Sequence, residues 1–498
     1  MSAIFIGFVL YLIIVFCVGL MTFRYSKTVS DYFIAGRKLN PWVVAFSERA
    51  SGESAWLLIG VPGLTLASGF LGIWPAIGCT FGIVFSWIFI ARRLREETGR
   101  YDAITLPDYL EARHRDSTKT LRIISALVII FFFTIYVAAQ FLAAGKVLNA
   151  AFDIPPFWGM VIGVCVILFY TVMGGFFAVA WTDLIQGIIM VFTLVVLPVA
   201  GIIYIGGFGP MAENIRFINP GLLSVTGVKT GLPLALTIIG SLGIGLGYMG
   251  QPHLLARYMS SRNKKELKKS MLIAVIWALL AFWGATLLGI IGMAILRNSM
   301  AEGLSAGAIL KGDWFMHIDA LGGRIDDAEK LMPMMAKFLT LPAIAGIMIS
   351  GAIAAMMSTA DSQLLSSTSA VAEDIYHKIF RKDAGQKQLV LISRIATIVI
   401  GLFAFAIALT TTQLVYHLVL FAWGGLGAVF GPSIFFSLWY KKTTRQGITA
   451  GMITALLTVI ITNLIPVFKG THVDLVFGFI MSILAILTVS SLTFKEEP

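Results

Sequence analysis

Over 498 residues, 58% hydrophobic and only 13% charged side chains depart far from the roughly 25% charged content of a soluble domain and mark a polytopic membrane protein. The formal net charge is +11, but the basic residues sit in short loops between apolar runs rather than on one face, a topology signal that excludes a nucleic-acid reader. Cys17, Cys79 and Cys165 all lie inside apolar runs and offer neither a disulfide framework nor a metal centre.

The first apolar run, 3–23, lacks a basic leader and a small-residue cleavage pattern, and Arg24 and Lys27 follow it; it reads as a retained first span rather than a signal peptide. The second run, 41–66, is long enough to cross a bilayer, yet Ser47, Glu48, Arg49, Ser51, Gly52, Glu53 and Ser54 sit near its middle. A charge at the bilayer centre costs at least about 2.5 to 3.5 kcal/mol, so these side chains face protein or a polar cavity. Arg49 and Glu53 are four apart and pair on one helix face. The Ser-Gly step at 51–52 lets the helix unwind around an ion or polar solute; a neutralised pair with no ligand is the alternative.

Further spans follow at 69–91, 121–145, 157–175, 182–208, 231–256, 270–296, 332–360, 388–411, 414–440, 446–467 and 475–494, thirteen in all by the rule of about 20 apolar residues per crossing. Lysine and arginine concentrate in the loops after odd-numbered spans, as in 92–119 and 257–269, which places the N-terminus outside and the C-terminus in the cytoplasm. Span 7 is interrupted by Gly243, Gly245, Gly247, Gly250 and Pro252, five spans after the interrupted span 2. Because five is odd, spans 2–6 and 7–11 would lie in the membrane with opposite orientation, the inverted-repeat plan of many secondary transporters. The chain divides accordingly into a first span and loop at 1–40, a core at 41–440 with repeats at about 41–208 and 231–440, and two C-terminal spans at 441–498.

Span 9 closes with AAMMSTADSQ at 354–363, and the adjacent hydroxyls of Ser358 and Thr359 suit a sodium shell of hard oxygen ligands. Such hydroxyls otherwise bond back to their own helix carbonyls. None of His114, His253, His317, His377, His417 and His472 makes a close metal-ligand pair in the sequence, and the long outside loop at 297–330 shows no recognisable chemistry.

Several motifs agree with the sodium reading: DYFIAGR at 31–37; AWLLIG at 55–60 with Pro62 and Gly63; Tyr170 with GGF at 174–176 and WTD at 181–183; GLGY at 245–248 with GQPH at 250–253; and Ala422-Trp423 with FGP at 430–432. On these motifs the chain resembles the sodium/solute symporter family, and within it the sodium/proline symporters, over essentially its whole length. The resemblance implies an all-α integral membrane protein of the LeuT-type fold, a 5+5 inverted repeat with discontinuous helices, in the cell membrane. It implies sodium-coupled symport of a small amino acid, L-proline first. A second reading is sodium or proton symport of another amino acid or a monocarboxylate. A transporter-like sensor is a third, for which the few residues after span 13 leave no signalling domain, and an enzyme is not expected.

The resemblance further implies a sodium site between spans 2 and 9, built from the carbonyls of Ala50, Glu53 and Ala355 and the hydroxyls of Ser358 and Thr359. Substrate-site or gate residues carried over from the family pattern are Ser54 and Trp56 on span 2, Tyr136 on span 4, Tyr248, Gln251 and Pro252 on span 7, and Trp423 on span 11. Relatives that use more than one sodium place an extra site inward of span 9. Here Ser358, Asp361 and Ser362 share a helix face by their spacing, so Asp361 and Ser362 with Asp183 form a second ion or exit site; the alternative is Asp361 as a solvated helix-end carboxylate. Where proline symporters carry an aspartate important for sodium, this chain has Gly52 with Glu53 next, and where they carry a tryptophan in span 7 it has Ile244. A carboxylate shifted by one residue points about 100° away on a regular helix, so Glu53 substitutes only where the backbone is unwound.

Overall fold

In the computed structural model, residues 3–23, 29–295, 327–411 and 413–495 are described; Arg24, Lys27 and most of the expected loop at 297–330 lie outside them. Apolar runs in a bilayer must satisfy their own backbone groups, which leaves helices as the local solution. The first half of the chain forms α1 (Ala3–Phe23), α2 (Val29–Ile34), α3 (Pro41–Ala55), α4 (Val61–Ser68), α5 (Ile73–Phe85), α6 (Arg92–Arg100), α7 (Leu106–Arg113), α8 (Thr120–Phe152), α9 (Pro156–Ile205) and α10 (Phe208–Ile218). The second half forms α11 (Gly231–Gly243), α12 (Pro252–Ser260), α13 (Lys264–Ile295), α14 (Leu331–Leu339), α15 (Pro342–Ser369), α16 (Gln386–Thr410), α17 (Val415–Trp439), α18 (Arg445–Leu464) and α19 (Asp474–Thr493). Among the described residues there is no β-strand, only an isolated bridge between Leu39 and Ser261.

Among the described residues, ten helical segments are long and apolar enough to cross a membrane, one of them the composite Pro41–Arg100; Ala3–Gly19 and Pro156–Val172 are shorter apolar helices. The bundle is organised around α15 and α17: 83% and 89% of their apolar windows are buried, against 28% for α16, which therefore faces outward.

Three boundaries differ from the hydropathy reading. Spans 5 and 6 are joined within α9 with no loop, divided only where Gly175 (φ 62, ψ 179) breaks the helical path. Span 9 is preceded by the separate short helix α14; Pro342 restarts the chain as α15, and helical structure continues to Phe380. Hydropathy stops near 360 because the polar stretch after it is buried against protein rather than lipid. Span 2 breaks at Ser54 (φ 46, ψ −171) rather than at the Ser-Gly step before it.

Span 7 is broken as expected. α11 ends at Gly243, Ile244–Met249 winds into a tighter turn, and α12 starts at Pro252 after an extended Gln251 (φ −83, ψ 108). Glycines let this segment lie directly on α5, where a Cβ on Gly82 would sit 2.0 Å from the Gly245 carbonyl oxygen and one on Gly245 2.0 Å from that of Gly78. Backbone cannot yield as a side chain can, and overpacking of a well-packed core typically costs about 1–3 kcal/mol or more. Gly82→Val is expected to abolish the monodisperse peak in detergent size-exclusion chromatography, whereas Gly209→Ala, with nothing within 4 Å of the added carbon, retains it.

A candidate cation and solute site between two broken helices

The break between α3 and α4 is stabilised by specific neighbours. Ser54 adopts a left-handed backbone, a conformation that costs of order 1–3 kcal/mol in a non-glycine residue and persists only when its surroundings impose it. Its hydroxyl accepts from the Trp56 N–H and from Tyr136 Oη, both at 3.3 Å. The freed Ala55 N–H donates to Gln140 Oε1 at 3.1 Å, and Gln140 lies one turn beyond Tyr136 on α8. The break in span 7 is braced from α17: Trp423 Nε1 donates to the Ile244 carbonyl at 2.9 Å, and Gln251 Nε2 donates to the Trp423 carbonyl at 3.0 Å. Pro252 occupies the first turn of α12, where its missing N–H costs nothing. Trp56, one of the largest fully buried side chains, stands edge-on to Tyr416 with ring centroids 6.2 Å apart.

The hydroxyls of α15 meet the last regular carbonyls of α3. Ser358 Oγ lies 2.9 Å from the Ala50 carbonyl oxygen and 3.2 Å from that of Ala355; Thr359 Oγ1 lies 3.0 Å from that of Ser51 and 3.5 Å from that of Ala50. Ala50, Ala355, Ser358 and Thr359 are thus brought into one buried oxygen cluster. The carbonyl of Glu53 lies further along the chain, where it accepts the Trp56 N–H. Ser51 O also accepts from His253 Nε2 at 3.2 Å.

Charged groups surround this cluster. The expected Arg49–Glu53 pair is a triad: Arg49 donates to Glu53 Oε1 at 2.6 Å and through Nε to Glu48 Oε2 at 2.6 Å. Glu48 is further held by Trp87 Nε1 and Tyr258 Oη, each at 3.2 Å. Tyr248 Oη donates to the Glu53 carboxylate at 3.0 Å, joining the two broken helices directly. Asp183 Oδ2 accepts from Ser47 Oγ at 2.6 Å, Ser51 Oγ at 3.0 Å and Arg257 at 3.1 Å. The same guanidinium nitrogen reaches Ser362 Oγ, so Arg257 draws Asp183 and Ser362 together. Asp361 is fully buried, which overturns the solvated helix-end alternative, because α15 continues past it under cover of α9. Tyr170 Oη donates to Asp361, and Ser362 Oγ donates to it at 3.0 Å. Four buried carboxylates (Glu48, Glu53, Asp183 and Asp361) therefore face two guanidinium groups (Arg49 and Arg257), a formal excess of negative charge that favours a cation among the oxygens.

Sequence reasoning did not single out Gln140 or Arg257. Gln140 carried a signal, an amide inside an apolar span four residues after Tyr136. Arg257 was hidden by its place at the edge of a basic loop, where it reads as a topology charge; it is instead 1% exposed. The orphaned Gln140 Nε2 and Gln251 Oε1, buried without partners among the described residues, are polar atoms available to a solute.

Two discontinuous helices crossing at a polar, carboxylate-rich centre within an all-helical membrane bundle define a secondary transporter. The sequence profile of the sodium:solute symporter family matches residues 32–455, and the chain belongs to that family. It is similar to the sodium/proline symporter of Escherichia coli (strain K12), 39% identical over 458 residues, covering 92% of this chain and 87% of that protein. It is also similar to the osmoregulated proline transporter OpuE of Bacillus subtilis (strain 168), 35% identical over 486 residues, covering 97% of this chain and 94% of the relative. A substrate-bound, outward-open Na+-coupled sialic acid symporter superposes with a TM-score of 0.81 at 18% identity, covering 100% of both chains. The fold is accordingly the LeuT type, the protein is a multi-pass membrane transporter, and sodium is its coupling ion.

Because Glu48 also holds Arg49, removing the charge of Glu53 leaves no stranded cation, whereas removing Arg49 strands two carboxylates. Breaking a buried pair from one side costs about 3–5 kcal/mol. Arg49→Met is expected to lose nearly all membrane-inserted protein on a quantitative blot, and Glu53→Gln to accumulate at close to the parental level.

Proposed function

We propose that the chain imports L-proline together with sodium by alternating access, with its N-terminus outside and its C-terminus cytoplasmic. The observation that carries the mechanism is the meeting of the Ser358 and Thr359 hydroxyls with the carbonyls of Ala50 and Ser51, since the bridging oxygens come from two different helices. Sodium held by Ala50, Ala355, Ser358 and Thr359, with the Glu53 carbonyl completing the shell as the broken segment adjusts, ties α3 to α15 and favours one arrangement of the bundle. A solute bound to that arrangement gains the differential affinity, which is the coupling free energy. The substrate choice rests on the relatives, which are named as proline transporters at 35–39% identity.

The residues that contact the solute are Ser54, Trp56, Tyr136, Tyr248, Gln251, Pro252 and Trp423. Its carboxylate is received by the half-helix N-termini and free amide and hydroxyl donors, its secondary amine by carbonyls of the unwound segments. Asp183, Asp361 and Ser362 form the inward exit path, closed by Arg257, which leaves as sodium arrives. The transporting core is 41–440, with repeats at about 41–208 and 231–440; residues 1–40 and 441–498 flank it. Driving force is ample, because one charge crossing about 100 mV gains roughly 2.3 kcal/mol before any concentration term.

A second reading, another small amino acid or a monocarboxylate, is favoured by Glu53 engaging Tyr248 and by Ile244 in place of the tryptophan of proline symporters.

In proteoliposomes, radiolabelled proline uptake is expected to require an inward sodium gradient and to vanish when choline replaces sodium. The Ser358→Ala/Thr359→Ala double variant loses both side-chain ligands, and at about 1.5 kcal/mol or more for each bond to a charged group its half-saturating sodium concentration should rise at least about a hundredfold. No sodium-driven uptake of radiolabelled proline, with sodium-driven uptake of radiolabelled alanine or lactate in its place, would transfer the assignment to the second reading.

A further inference from the structure

Two histidines that are 55 positions apart come together on the side of the bundle where α17 and α19 begin. His417 lies in the first turn of α17, and His472 precedes α19 with a left-handed backbone (φ 59) that turns its ring back toward α17. The imidazole centroids are 5.3 Å apart with the planes 26° from parallel. Neither ring has a hydrogen-bond partner among the described residues, and both residues are part-exposed. A tetrahedral zinc ion with Zn–N bonds of about 2.0–2.1 Å holds two ligating nitrogens about 3.4 Å apart and their ring centroids about 5 Å apart, matching the separation seen.

We propose that His417 and His472 form a binding site for a divalent transition-metal ion of the zinc class, with water completing its shell, and that an ion bound there arrests transport. Imidazole nitrogen is the ligand such ions prefer over carboxylate-selective calcium or magnesium.

The site is mechanically linked to the broken span. Tyr416 stands edge-on to both imidazoles, with centroids 5.6 and 5.4 Å away. Its other side packs against Gly60, where an added Cβ would lie 3.3 Å from the tyrosine ring, and against Trp56. Its amide donates to Glu329 Oε1 at 3.0 Å. An ion bridging His417 and His472 therefore fixes the start of α17 to the chain entering α19, and through Tyr416 restrains the outer half of the broken helix.

The test uses the full chain in a Cys17→Ser/Cys165→Ser background, which removes the thiols that are not buried. Calorimetric titration with zinc chloride in detergent is expected to give one ion per chain at micromolar Kd. Each of His417→Ala and His472→Ala should weaken binding at least about tenfold. Zinc added outside proteoliposomes is expected to cut solute uptake by more than half, reversibly with EDTA, and both variants should take up solute normally in EDTA but resist zinc. Zinc binding that is absent in the parental protein, or unchanged in both histidine variants, overturns the site. Because binding is read by calorimetry, that result stands whichever solute is carried.

Discussion

The contact between the α15 hydroxyls and the carbonyls at the end of regular helix in α3 is the constraint from which the rest of the centre follows. Inside a bilayer an unmet backbone group costs several kcal/mol, so a helix can be interrupted only where neighbouring side chains take over its bonds. Ser358 and Thr359 meet the carbonyls before the break, and Gln140 meets an N–H after it. The same arrangement that makes the interruption tolerable concentrates uncharged oxygens at one buried point. Surrounding carboxylates outnumber guanidinium groups there, and a small hard cation satisfies both conditions.

The second broken helix is secured by different means that serve the same end. Trp423 on α17 donates to its Ile244 carbonyl, its own Gln251 donates to the Trp423 carbonyl, and glycines on α5 allow direct backbone approach. Tyr248 on Glu53 then links one interruption to the other. This link gives a physical account of the departure at Gly52. An added Cβ there would meet Leu254 at 3.2 Å, so the small residue lets α12 pack closely while the carboxylate one position on turns toward Tyr248 and Arg49. The Glu48–Arg49–Glu53 triad, pinned by Trp87 and Tyr258, ties α3 to α12 and to the helical turn that follows α5.

Much of this was legible in the sequence. Charges in the middle of a crossing segment, glycine and proline five spans further on, and paired hydroxyls at 358–359 are anomalies against a simple hydropathy pattern, and each marks the centre. What was not legible depends on three-dimensional pairing. Arg257 looks like a loop charge until α12 is seen to carry it inward to Asp183. Glu48 looks redundant beside Glu53 until the fork of Arg49 is seen to use both. The end of span 9 was misplaced because hydropathy registers lipid, whereas the helix beyond 360 is buried by α8, α9 and α16. The break fell at Ser54 rather than Gly52 because Tyr136, Gln140 and the Trp56 amide fix it there, overriding the glycine preference for unusual backbone. His417 and His472 show no sequence relation at all.

The central claim is that one bound sodium organises the solute site. Linkage requires the ion and the solute to raise each other's affinity by the same factor. Equilibrium binding of radiolabelled proline to the purified protein, measured as sodium replaces choline at constant ionic strength, tests it most directly. The account predicts a proline affinity that climbs with sodium and then levels off as the site between α3 and α15 fills; an affinity identical in sodium and choline would contradict it.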